Sequence, residues 1–173
     1  MSVKNIETRM TREPEDASGK TNQPKEPPSL KAAAIRMLAR RDYGRAELAQ
    51  RLSRSGATAV EVEAVLDEMA ALGFLSDARF AESLVRQKQG RYAKRAIAHT
   101  LKERGLDRET AEAALSALET IDEADEALAL WKKRFGAPPQ DERERNRQLR
   151  FLLSRGYSTA VAFKVMKIVQ SEG

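Results

Sequence analysis

The sequence predicts an all-α protein made of three tandem three-helix repeats stacked into an elongated, curved body behind a disordered N-terminal tail. Three observations carry this. From Leu30 onward the apolar residues recur at helical spacing, without sustained strand alternation. The same apolar positions return after a shift of 49 residues and again after a shift of 51. Each repeat holds a glycine followed two residues later by Thr58, Asp107 or Ser158, residue types that start helices.

Residues 1–29 carry four of the six prolines and five basic against five acidic residues, with only Met1, Val3, Ile6, Met10 and Ala17 apolar. Such a stretch cannot bury enough apolar area to offset its ordering entropy, so a disordered tail is expected. Pro27 and Pro28 followed by Ser29 mark a helix start, with Ser29 as cap of a helix over 30–41. Within the repeat, Tyr43 falls on Tyr92, Leu48 on Ile97, Leu52 on Leu101, Gly56 on Gly105 and Leu66 on Leu115. The second shift places Leu101 on Leu152, Gly105 on Gly156, Leu115 on Met166, Phe80 on Trp131 and Leu84 on Phe135. A helix that ends at a left-handed glycine and restarts two residues later leaves a short, fixed turn. Thr58 with Glu61 reads as a capping box, Ser76 and Asp77 as the start of the second repeat, and Thr120 with Glu123 as another capping box. The expected organisation is a tail over 1–29, repeats over 30–73, 74–119 and 120–173, and nine helices. The run GAPPQDERERN at 136–146 is the expected hinge or mobile loop.

Composition narrows the function. With 41% hydrophobic but only 5% aromatic residues, the core must come from Ala, Leu and Val, and no large aromatic-lined pocket is expected. The absence of Cys excludes disulfides, a thiolate nucleophile and Cys-based zinc sites, and the single His99 excludes a two-His metal site. No apolar run approaches a membrane span and no signal peptide opens the chain, so a cytoplasmic protein without membrane contact is expected. Neither a phosphate-cradling GxxxxGK[ST] run nor a nucleophile elbow occurs, and Ala98 and Thr100 offer His99 no catalytic partner. The acids Asp122, Glu123, Asp125 and Glu126 read as a helix start favoured by the helix dipole rather than a cation site. No enzyme activity, cofactor or metal is expected.

The charge distribution is more informative than the net +5. Arg91, Lys94, Arg95 and Lys102 are spaced i, i+3, i+4 and i+11, which on a helix gathers them to one side, away from Ile97 and Leu101. Arg79 and Arg86 share a face of the preceding helix, and Arg143, Arg147 and Arg150 repeat the pattern in the third unit. Between 86 and 104 stand seven basic residues and one acid, whereas 119–126 holds five acids and no base. The stripe reads either as a solvated face or as a surface for phosphates or an acidic protein groove. Operator recognition is not expected. The helices after the turns open TAVEVE, DRETAE and STAVAF, without the Arg, Asn, Gln or Lys that base reading requires.

ARRDYGRAELAQRLSRSG at 39–56, GFLSDARFAESLV at 73–85, RYAKRAIAHTLKERGLD at 91–107 and LRFLLSRGY at 149–157 together resemble the RecX family, regulators of the bacterial recombinase RecA. The resemblance covers 30–173. One departure is Gly44, where family members often carry a capping Ser, a change expected to cost a few tenths of a kcal/mol. The resemblance implies a monomeric helical modulator, without catalytic residues, in the groove of the RecA–DNA filament. There it would interfere with filament growth and so affect recombination, DNA repair and the SOS response. Its implied filament-facing surface is basic, which points to the cations derived above, with weak non-specific contact to the DNA backbone. The alternatives are a helical-repeat adaptor for another acidic protein and a non-specific DNA-binding protein.

Overall fold

The computed structural model describes residues 29–118 and 122–171. Residues 1–28 of the tail expected over 1–29, and the cap expected at Thr120, lie outside them, whereas Ser29 caps the first helix. The described residues form nine helices and no strand. The first unit holds α1 (Leu30–Leu38), α2 (Arg45–Ser53) and α3 (Ala59–Ala71). The second holds α4 (Asp77–Lys88), α5 (Lys94–Glu103) and α6 (Arg108–Ser116), and the third α7 (Glu123–Arg134), α8 (Glu142–Ser154) and α9 (Thr159–Ser171). Within each unit every helix packs on the other two.

Local chemistry sets most of these boundaries. Ser29 Oγ accepts from Ala32 N at 3.2 Å, Asp107 Oδ1 from Thr110 N at 2.8 Å and Ser158 Oγ from Val161 N at 3.1 Å. Thr58 and Glu61 close the capping box: Thr58 Oγ1 accepts from Glu61 N at 3.3 Å, and Glu61 Oε2 from Thr58 N at 2.8 Å. These bonds hold the Glu61 and Asp107 carboxyls below their usual range. Gly56, Gly105 and Gly156 take φ of +84°, +79° and +92°, as the repeated turn predicts.

Three boundaries differ from the sequence reading, at the end of α1, over 142–146 and at the start of α5. Helix α1 stops at Leu38 rather than Arg41, because Arg41 turns back over the Tyr43 ring at 3.7 Å and pairs with Glu47 at 2.6 Å. The described cap of α7 is Asp122, whose Oδ1 accepts from Ala124 N at 2.7 Å. The run 142–146 is helical. Asp141 caps it through Glu144 N at 2.7 Å, and the preceding loop is pinned by Gln140 N donating to Glu144 Oε2 at 2.9 Å. Helix α5 begins at Lys94, so Arg91 lies in the turn before it and not on its face.

Each unit has its own core. Leu52, Leu101 and Leu152 occupy equivalent buried sites, as do Leu66, Leu115 and Met166. Burying such a side chain contributes about 1.5–3 kcal/mol. The third unit breaks the pattern at a coupled pair of sites. The site of Leu48 and Ile97 is taken by Gln148, 2% exposed, and that of Phe80 by Trp131. The two substitutions satisfy one another, since Trp131 Nε1 donates to Gln148 Oε1 at 2.8 Å. Gln148 Nε2 in turn donates to Ala137 O at 3.4 Å.

Helix ends and turns make the junctions between units. At the first, Gly44 has no capping side chain, and Asp77 of α4 supplies the acceptor instead, its Oδ1 taking Arg45 N at 2.7 Å. A Cβ on Gly44 would stand 2.9 Å from the Phe80 ring, so the glycine makes room for the second unit, and the lost cap alone does not describe its cost. A Cβ on Gly105 would meet Ala46 Cβ at 2.7 Å, and one on Gly156 would meet Ala96 Cβ at 2.5 Å. The turn glycine of each later unit thus admits the second helix of the unit before it. Gly56, in the first unit, has nothing within 4 Å of that position.

Candidate functional site

The nine cations singled out by spacing fall into distinct environments. Two are structural. Arg79 donates to Gly73 O at 2.8 Å and Phe74 O at 3.1 Å, and lies 3.7 Å from the Asp42 carboxylate, so it fastens the α3–α4 turn at the first junction. Arg95 reaches from α5 into the third unit, where its Nε donates to Gly156 O and its Nη2 to Tyr157 O at 2.8 Å. The second junction is completed by Ala93 N donating to Arg155 O at 2.9 Å, with the Arg155 guanidinium 5.0 Å from the Tyr92 ring centre.

Lys94 is half committed. With Arg95 it lines a cleft of about 510 Å³ between α5 and the start of α7, where Glu123 and Glu126 also stand. Burial and the neighbouring Glu123 push the Glu126 carboxyl up, while Lys94 opposes them. Burial, then Glu126 and Glu123, push the Tyr157 phenol up to about 12, so it stays protonated. Positive and negative charge are matched in this cleft.

The other cations are exposed. Arg86 has only a 3.6 Å contact with Glu82 one turn away, worth about 0.3–0.5 kcal/mol. Arg91, Lys102, Arg143 and Arg150 make no ion pair among the described residues, and Arg147 has one to Glu144 at 3.8 Å. The structure brings Arg147 and Arg150 together, in a cleft of about 490 Å³ on the third unit. Arg134, Phe135, Phe151 and Ser154 complete its wall, and among the described residues no carboxylate lines it. Phe135 and Phe151 pack edge to face with ring centres 5.3 Å apart. The Arg134 and Arg147 guanidinium groups lie 5.6 and 5.7 Å from the Phe135 centre.

Spacing missed this cleft and one further residue. Composition argues against a large aromatic-lined pocket, and this cleft has two rings in its wall, Phe135 and Phe151, with Trp131 packed against Phe135 at 6.3 Å. The available signal was that two of the three Arg-Phe dipeptides, at 134–135 and 150–151, fall in the third unit. The missed residue is Glu47, whose side chain is 9% exposed and meets Arg41 at 2.6 Å, Arg51 at 3.2 Å and Arg104 at 3.3 Å. Burial pushes its carboxyl up, but Arg41, Arg104 and Arg51 outweigh burial and hold it below the usual range. Because Arg104 belongs to the second unit, Glu47 joins two units.

His99 is exposed and sits 3.4 Å from Glu103. Among the described residues no cluster of His, Asp or Glu fits a metal ion, and no helix is long and apolar enough to cross a membrane.

Family models for the first, second and third three-helix domains of RecX match residues 31–69, 76–115 and 121–166. The regulatory protein RecX of Leptothrix cholodnii is 42% identical over 144 residues, covering 83% of this chain and 91% of that protein. That of Ralstonia pickettii is 41% identical over 143 residues, covering 83% and 89%. The crystal structure of RecX from Lactobacillus salivarius shares the fold, with a TM-score of 0.63 at 19% identity over 82% of this chain and 94% of that one.

Proposed function

Because this chain belongs to the RecX family of regulatory proteins, we propose that it modulates, chiefly by inhibition, the recombinase RecA. It does so as a cytoplasmic monomer in the groove of the RecA–DNA filament, without catalysis of its own, and so acts on recombination, DNA repair and the SOS response. The observation that carries this reading is the division among its cations. Arg79 and Arg95 are consumed in fastening the units, while Arg86, Arg91, Lys102, Arg143 and Arg150 stand exposed with weak partners or none among the described residues. A row of units joined by these contacts and carrying exposed charge suits a polyanionic groove that presents DNA phosphates and acidic protein rims. Contacts at both junctions also lower the ordering entropy that a flexible string would lose on bridging neighbouring filament subunits.

Titration of this protein into RecA's DNA-dependent ATPase tests the reading. A filament modulator inhibits at substoichiometric to stoichiometric levels. An adaptor for another acidic protein leaves the ATPase unchanged. A simple DNA-binding protein inhibits only when it covers the DNA, with a steep salt dependence.

A further inference from the structure

The cleft of the third unit differs in kind from the exposed cations elsewhere. It combines three guanidinium groups with an aromatic pair, and among the described residues no acid stands in its wall. Arg134 and Arg150 have no ion pair among the described residues, and Arg147 has only the 3.8 Å contact with Glu144, so none of the three charges is neutralised within the cleft. Phe135 and Phe151 are only half buried although they are core-sized rings. The volume, about 490 Å³, lies within the range of about 300–1,000 Å³ typical of small-ligand sites.

We propose that this cleft is a nucleotide subsite for single-stranded nucleic acid. Arg134, Arg147 and Arg150 take backbone phosphates, and an unstacked base lies against the Phe135–Phe151 pair. The chemistry selects the ligand. Guanidinium groups bind phosphate oxygens in a planar fork. Aromatic side chains bind bases only where the base is free to leave its stack, which a duplex does not allow. An acidic peptide would satisfy the arginines but would leave the rings without a partner. The subsite shares Arg147 and Arg150 with the filament reading, yet strand binding is measured with no recombinase present, so either can fail alone.

The test is fluorescence anisotropy of the full chain with a labelled twenty-nucleotide oligothymidylate and with a duplex of equal length. Phe151→Leu keeps an apolar side chain against Phe135 but removes a stacking surface. It should weaken binding of the single strand by about tenfold and leave the duplex unchanged. Arg134→Gln with Arg150→Gln should lower the slope of log affinity against log salt by about 1.4 for the single strand. Because both arginines are solvent-facing, this second variant decides the matter if Phe151→Leu does not fold. Thymidine monophosphate should displace the strand only at millimolar concentration. A folded Phe151→Leu protein that binds the strand as the parent does would overturn the proposal. So would equal loss for strand and duplex, an unchanged salt slope in the arginine pair variant, displacement by micromolar thymidine monophosphate, or polyglutamate competing as well as unlabelled strand.

Discussion

At Gln148 the third unit replaces an apolar core position with an amide, and the replacement holds only because Trp131 turns its indole N–H toward it. Gln148→Leu leaves that N–H buried without an acceptor and should destabilise the protein by about 1–3 kcal/mol in urea melts. Adding Trp131→Phe, which leaves an all-apolar pair like Phe80 and Ile97 of the second unit, should recover much of the loss. If the double variant is as unstable as the sum of the singles, the two residues are not coupled. Glu47 gives a second expectation, in pH. Its folded-state pKa lies below that of an exposed glutamate. The stability it contributes is therefore fully present above the unfolded value, about 4.3, and is lost as pH falls through the folded value. Glu47→Gln should lower the melting temperature by a constant amount above about pH 5.5, and the gap to the parent should close below about pH 4. A gap that does not change with pH would mean that charge plays no part at this junction.

Among the elements, the glycine turns were legible in the sequence because a turn is encoded locally. A glycine, a capping residue two positions on and matched apolar offsets suffice, and all three glycines take positive φ. Their second role was not legible, because it depends on what the neighbouring unit places opposite them. Gly56→Ala should cost only the left-handed backbone penalty, about 1–2 kcal/mol. Gly105→Ala and Gly156→Ala should each cost about 1–3 kcal/mol more, since the new methyl meets Ala46 or Ala96. Equal losses at the three sites in denaturant unfolding would show that the junctions yield freely. The start of α5 was misplaced for a related reason. Helical spacing continues backward through Arg91, but Ala93 gives its N–H to Arg155 of the next unit, and the helix begins only after it.

For the whole molecule, periodicity identified three units and their cores, since apolar spacing reports burial directly. It could not separate the cations. Arg95 and Lys102 both fall on exposed arcs of α5, yet Arg95 ends against carbonyls 61 and 62 residues away while Lys102 meets no carboxylate among the described residues. Contacts of that kind are invisible to any rule about neighbours along the chain. The division has a direct consequence for binding. Arg95→Glu should lower stability, by breaking the second junction, as well as affinity. Reversal of Arg86, Arg91 and Lys102 should leave circular dichroism and melting nearly intact, because exposed charges contribute at most about 1 kcal/mol each to folding. The most direct test of the account is inhibition of RecA's DNA-dependent ATPase by this triple Glu variant beside the parent, with Glu109→Lys plus Asp125→Lys as control. With each lost contact worth about 1 kcal/mol, the concentration for half-inhibition should rise about a hundredfold in the triple variant, and the control should inhibit no less well than the parent. A folded triple variant that inhibits at the parent's concentration would contradict the account, because the exposed cations would then be no more than a solvated surface.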